Sequence, residues 1–168
     1  MRRRESLVFI MPLLGLMATA CGFKLRGQQN YAFQRLAILP HPGGPVALEL
    51  RRSISQAVRV LAPGEPLTQA QVVVEIVQEQ REKTVVGVNS SGQVREFQLR
   101  LRVKLRVRAP VGRELAPEAE LLLQRDISFN ESAVLAKEAE EVLLYRDMQS
   151  DIVQQIMRRL ASIRSWQD

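Results

Sequence analysis

Glu96-Phe97-Gln98-Leu99-Arg100-Leu101-Arg102-Val103-Lys104-Leu105-Arg106-Val107-Arg108 alternates polar and apolar side chains at every step. A period of two belongs to a β-strand, whose successive side chains point to opposite faces. Phe97, Leu99, Leu101, Val103, Leu105 and Val107 therefore share one face, while Gln98, Arg100, Arg102, Lys104, Arg106 and Arg108 share the other. Such a strand has one side to bury, so it calls for a sheet covered on a single face.

The flanks extend the sheet. Before this strand, Gly87 to Gln93 forms a polar turn, and Gln71 to Val86 reads as a valine-rich strand with Val72, Val74 and Ile76 on one side and Val73, Glu75, Val77 and Glu79 on the other. After it, Pro110-Val111-Gly112-Arg113 turns the chain into a strand over Glu118 to Asn130, with Ala119, Leu121, Leu123, Ile127 and Phe129 facing together. Connections this short predict an antiparallel meander.

Farther out the period lengthens. Phe33 to Leu39 is a first strand closed by Pro40, and Pro45 opens a helix whose apolar face runs through Leu50, Ile54, Ala57, Val58 and Leu61. Ser132 is placed to cap a last helix reaching about Arg164, striped by Leu135, Ala139, Val142, Gln149, Ile152, Ile156, Leu160 and Ile163. Its acidic residues come early and Arg158, Arg159 and Arg164 come late, in keeping with the helix dipole. The order strand, helix, three strands, helix predicts an α+β fold: a four-stranded, mostly antiparallel sheet with two helices packed on one face.

Charge is concentrated rather than spread. Residues 94–108 hold Arg95, Arg100, Arg102, Lys104, Arg106 and Arg108 against Glu96, a net of +5 beside +6 for the whole chain. Arginines on one strand face recur about every 6.6 to 6.8 Å and repel unless partnered. Two explanations stand open. The row is a solvated outer face whose partners come from Glu75, Glu79, Glu120 or Asp126, or it is a docking site for a phosphorylated amphiphile, since guanidinium groups grip phosphate and their stems lie along acyl chains.

Several function classes drop out. The chain has a single histidine, His41, in the loop Pro40-His41-Pro42-Gly43-Gly44, and a single cysteine, Cys21. These two cannot assemble a metal cluster, and neither a catalytic triad nor a phosphate-cradling glycine motif is present, so no metal, no cofactor and no enzymatic activity are expected. Nucleic acid is not an expected partner either, because no recognition motif or aromatic platform accompanies the basic residues.

The N-terminus explains the lone cysteine. Met1-Arg2-Arg3-Arg4, the apolar run Leu7 to Leu16 and the small residues Ala18, Thr19 and Ala20 follow the three-part plan of a secretory signal, too short to span a bilayer. Residues 1–20 are thus a signal peptide, residues 21–30 a tether, and residues 31–168 one domain. Cleavage takes 20 residues from 168, leaving 148, a size suited to one core. The junction Ala18-Thr19-Ala20-Cys21 resembles a bacterial lipobox, which makes Cys21 the lipidation site. Two or more acyl chains anchor stably where one binds marginally.

Three segments together resemble the LptE family of lipopolysaccharide-assembly lipoproteins: Cys21-Gly22-Phe23-Lys24-Leu25-Arg26-Gly27, the turn Ser91-Gly92-Gln93 leading into Glu96-Phe97-Gln98-Leu99, and Val134-Leu135-Ala136-Lys137-Glu138. The resemblance spans essentially the whole chain. It implies a non-enzymatic protein held by N-terminal acyl chains at the periplasmic side of the outer membrane, plugging the LptD β-barrel one-to-one, helping it assemble, and binding lipopolysaccharide during delivery to the outer leaflet. Gly22 fits outer-membrane sorting. Family lipopolysaccharide contacts fall on basic residues near the central hairpin and on the lysine of the L-A-K segment, here Lys137; the tip Asn89-Ser90-Ser91-Gly92 has no basic residue, and Arg95 is its nearest substitute. The competing function is an accessory lipoprotein of another envelope transport or secretion system.

Overall fold

The computed structural model describes residues 29–164; the leader and Cys21 lie outside them. The chain forms β1 (Arg35–Leu39), α1 (Pro45–Ile54), β2 (Arg59–Val60), β3 (Val72–Val88), β4 (Val94–Arg108), β5 (Glu114–Ser128) and α2 (Val134–Ala161), with 3₁₀ turns at Leu67–Gln69 and Glu131–Ala133. The sheet order is β2-β1-β3-β4-β5. The long strands β3, β4 and β5 form the expected antiparallel meander, while β1 runs parallel to both β2 and β3.

The sheet has five strands, where the sequence pattern predicts four. The difference lies after Ile54, where the helix ends and the chain turns back. Arg59 then donates its amide to Gln34 and Leu61 donates to Leu36, both at 2.8 Å, adding β2 to the free edge of β1. Val58 and Leu61 are buried as the helical pattern required, but from this returning segment. A spacing of three keeps Val58 and Leu61 on one face of a helix but sends them to opposite faces of an extended chain, and here Val58 joins the helix-side core while Leu61 joins the cluster on the other face.

Both helices cover one sheet face. Val46, Leu50 and Ile54 of α1 and Met148, Ile152, Ile156 and Leu160 of α2 share a core with Val72, Val74, Leu99, Leu101, Val103 and Leu105. A small second cluster of Ala37, Leu61, Ala70 and Val73 lies on the other face of the wide end. Arg51 ties α1 to β1 by donating to the carbonyls of Ile38 (2.6 Å), Pro40 (3.1 Å) and Pro42.

Two further expectations need correction. Ser132 does not cap the last helix: the Asn130 side chain accepts the Ser132 amide and closes a 3₁₀ turn, so α2 starts at Val134 without a side-chain cap. The stripe on α2 is buried only from Tyr145 onward, and Leu135 and Val142 stay 82% and 68% exposed.

A bulge in β3 redistributes its side chains between the two faces. Ile76 pairs with Leu105 but Gln78 pairs with Lys104, so Val77 is an extra residue and the faces of β3 exchange beyond it. Glu79, Arg81, Lys83 and Val85 then oppose Val103, Leu101, Leu99 and Phe97 on the helix side. Because β1 pairs only with Val72 to Glu75, the sheet narrows from five strands to three toward the β3–β4 turn.

Candidate functional site

The helix-free face carries the basic row, and strand register supplies its partners. Arg108 meets Glu75 at 2.6 Å; Arg106 meets Glu118 at 2.9 Å and Glu75 at 3.9 Å. Lys104 lies 3.5 Å from Glu120, which also pairs with Arg102, and Glu82 lies 3.8 Å from Arg102. Arg100 donates to Gln98 at 2.8 Å, and Gln98 donates to Asp126 at 3.1 Å. The hydrogen bond and charge of Glu118 raise the Arg106 pKa. Glu75, Glu120 and Asp126 thus sit where the outer-face explanation put them. Glu79 does not: the bulge turns it to the helix side, and Glu82 is the carboxylate of β3 beside Arg102.

This ladder is largely compensated. Exposed pairs of this kind are individually weak, so its members can exchange partners at small cost. The face is accordingly a polar, charge-patterned wall whose cations remain within reach of an anionic guest.

Lys137 lies elsewhere, on the helix side at the narrow end. It lines a cavity of about 240 Å³ together with Lys83, Phe97, Ile127, Ser128, Phe129, Val134, Glu138 and Glu141. Its ammonium donates to Ser128 at 3.0 Å and to Glu140 at 2.8 Å. Lys83 donates to Glu141 at 2.6 Å and stands 4.4 Å from the Phe97 ring centroid. Phe97 and Phe129 meet edge to face at 5.3 Å.

Arg95 belongs to this same end, since its carbonyl accepts the Phe129 amide at 2.7 Å while its guanidinium reaches Gln93 at 3.4 Å. The expected basic residues therefore divide into two sets. Arg100 to Arg108 occupy the open face, whereas Lys137 and Arg95 mark the narrow end. Straight alternation puts Lys83 outward and so misses it. The clue lies in β3 itself, where the apolar parity changes between Ile76 and Val85.

A wider cleft of about 540 Å³ between the helices is lined by Glu49, Arg52, Arg146 and Asp147, charges that cancel in sign. Among the described residues no group of three His, Cys, Asp or Glu could hold a metal ion, and no helix is long and apolar enough to cross a membrane.

Comparison with known proteins bears on both surfaces. The LPS-assembly lipoprotein LptE of Yersinia enterocolitica is 27% identical over 166 residues, spanning 97% of this chain and 79% of that one. Its Yersinia pestis counterpart is 28% identical over 169 residues, with the same shares. The solution structure of an uncharacterized lipoprotein B from Nitrosomonas europaea superposes with a TM-score of 0.71 at 39% identity, covering 84% of this chain and 91% of the other. The rare lipoprotein B of Shewanella oneidensis shares the fold, with a TM-score of 0.63 at 20% identity over 77% and 95% of the two chains. A family model described as "LptE: Lipopolysaccharide-assembly" matches residues 25–160, which take in the ladder and the lysine pocket alike. The chain therefore belongs to the LptE family of non-enzymatic lipopolysaccharide-assembly lipoproteins.

Proposed function

We propose that this chain is an outer-membrane lipoprotein, held on the periplasmic side by acyl chains on Cys21, that plugs the LptD β-barrel one-to-one, helps it assemble, and binds lipopolysaccharide on its way to the outer leaflet. The open sheet face carries this reading. Large outer-membrane barrels have polar interiors, and a plug needs a polar flank to stand against such a wall. Here Arg102, Lys104, Arg106 and Arg108 interleave with Glu75, Glu82, Glu118 and Glu120 across a face that no described helix covers. Lipopolysaccharide phosphates would draw on the same cations, with Arg95, Arg100 and Lys137 completing the set.

Affinity isolation of the natively processed protein from outer membranes tests the plug. Stoichiometric recovery of the barrel is expected; recovery alone, or with a different transporter, removes it. Intact mass of the mature N-terminus tests the anchor, which requires acylated Cys21. Arg102→Glu with Arg106→Glu should weaken lipopolysaccharide binding while the fold persists, and unchanged affinity at low salt would return the row to a purely solvated face.

A further inference from the structure

The narrow-end pocket has a composition that neither strand alternation nor the basic row accounts for. Two ammonium groups, Lys83 and Lys137, sit at a cavity whose apolar walls are Phe97, Ile127, Phe129 and Val134. Ile127 is 4% exposed, so the apolar floor is continuous with the core. Its volume of about 240 Å³ lies below the usual range for a whole ligand and suits one portion of a larger one.

Cations above an aromatic floor select a molecule with an anionic head and an alkyl body. We propose that this pocket is a subsite for the phosphorylated, acylated end of an amphiphile, with Lys83 as a second headgroup cation beside Lys137 and Glu141 as a built-in competitor for Lys83. The assignment deepens the lipopolysaccharide reading and rests on it for the identity of the guest. Both lysines are already engaged by carboxylates, Lys83 at 2.6 Å from Glu141 and Lys137 at 2.8 Å from Glu140. Glu138 adds a third acid to the rim. A phosphate must therefore displace a carboxylate. It can do so because partly exposed lysine-carboxylate pairs are weak, whereas a phosphoryl group brings more charge and three acceptor oxygens. The alkyl chain then lies against the apolar floor formed by Phe97, Ile127, Phe129 and Val134.

The bulge at Val77 is what makes this possible. Without it, Lys83 would stand on the open face with Glu79 and Arg81, and Lys137 would face the aromatic floor without a second cation.

Calorimetric titration of the full chain with octyl phosphate, inorganic phosphate and purified lipopolysaccharide tests the subsite. Octyl phosphate should bind at least about tenfold more tightly than inorganic phosphate; Lys83→Met, which keeps the alkyl stem over Phe97, should weaken it about tenfold, and Glu141→Gln should strengthen it about threefold. In the double variant the gain from Glu141→Gln should vanish. A gain in affinity cannot arise from misfolding, so Glu141→Gln guards against a damaged Lys83 variant. Equal binding of the two phosphates, indifference to Lys83→Met, or no gain from Glu141→Gln overturns the subsite. Lipopolysaccharide binding that ignores both substitutions, with octyl phosphate equally indifferent, overturns the subsite and leaves the glycolipid reading intact. Octyl phosphate binding that follows the charges, in a protein that binds no lipopolysaccharide, supports the clamp and removes the glycolipid as its guest.

Discussion

Glu79 of β3 caps α1: its carboxylate oxygens accept the Val46 amide at 3.2 and 3.3 Å. Gly44 at the helix start offers no side chain, Pro45 has no amide hydrogen, and the first turn holds no acidic residue. A Cβ at position 44 would overlap the Glu79 carboxylate, so the glycine makes the close approach possible. The strand thus supplies the negative charge that α1 lacks at its positive end.

Removing this cap should be measurable. Glu79→Ala is expected to cost about 1 kcal/mol of unfolding free energy at neutral pH, within the range of lost helix caps. Denaturant midpoints give the energy, and faster amide exchange at Val46 would locate it. An unaltered Val46 exchange rate would show that α1 is held by its apolar face alone.

Acid should bear on the same contact in a defined direction. Burial raises the Glu79 carboxyl above its ordinary 4.5, outweighing the Val46 hydrogen bond and the Arg81 charge, which lower it. A raised carboxyl binds its proton more tightly in the folded state, so its contribution is fully present below pH 4.5 and is lost as pH rises through the folded value. Stability relative to Glu79→Gln should therefore shift toward the variant between acid and neutral pH. Urea midpoints across that interval would reveal the opposite trend if the hydrogen bond and Arg81 prevailed.

The charge ladder calls for a swap experiment. Arg102→Glu places like charges beside Glu120 and Glu82 and should destabilise the fold modestly, while Glu120→Arg in that background should restore most of the loss. The coupling is expected to stay below about 1 kcal/mol and to shrink in concentrated salt. A coupling several times larger would mean the ladder holds the sheet together.

Two leucines should respond very differently. Leu101 is fully buried, and Leu101→Ala should cost about 2 to 5 kcal/mol. Leu135 is 82% exposed, and Leu135→Asp should stay within about 0.5 kcal/mol in the isolated protein. Thermal melts of the two variants separate these outcomes.

Arg51→Met keeps the alkyl stem but leaves the carbonyls of Ile38, Pro40 and Pro42 without this donor. A loss of about 1 to 3 kcal/mol is expected, and Arg51→Lys should rescue it only in part because an ammonium lacks the planar fork. Full rescue by lysine would reduce Arg51 to a simple charge.

The α+β arrangement and the helix-side core are legible wherever one period runs uninterrupted. The alternation through Phe97 to Val107 places Leu99, Leu101, Val103 and Leu105 correctly in the interior. What escapes are places where the chain breaks its own rhythm. Val77 inserts one residue into β3 and reverses the side chains from Gln78 to Val85, which hides Glu79 and Lys83 from straight counting. Ile54, Val58 and Leu61 satisfy a helical spacing, yet Ile54 ends α1 while Val58 and Leu61 flank β2, so spacing alone makes β2 look helical. Asn130 takes the turn that Ser132 is expected to open, because an Asx side chain reaches the amide two residues on. The arginine partners are foreseeable in kind, but their identity depends on register.

The step from five strands to three also orders how the molecule comes together. Turns at Asn89–Gln93 and Ala109–Arg113 join neighbours along the chain, whereas Leu36 must find Val72 across α1 and β2. Contacts between distant segments are the slower ones to form. Contact order therefore predicts that the meander forms first and that β1 and β2 close onto it afterwards, when the charged wall already exists.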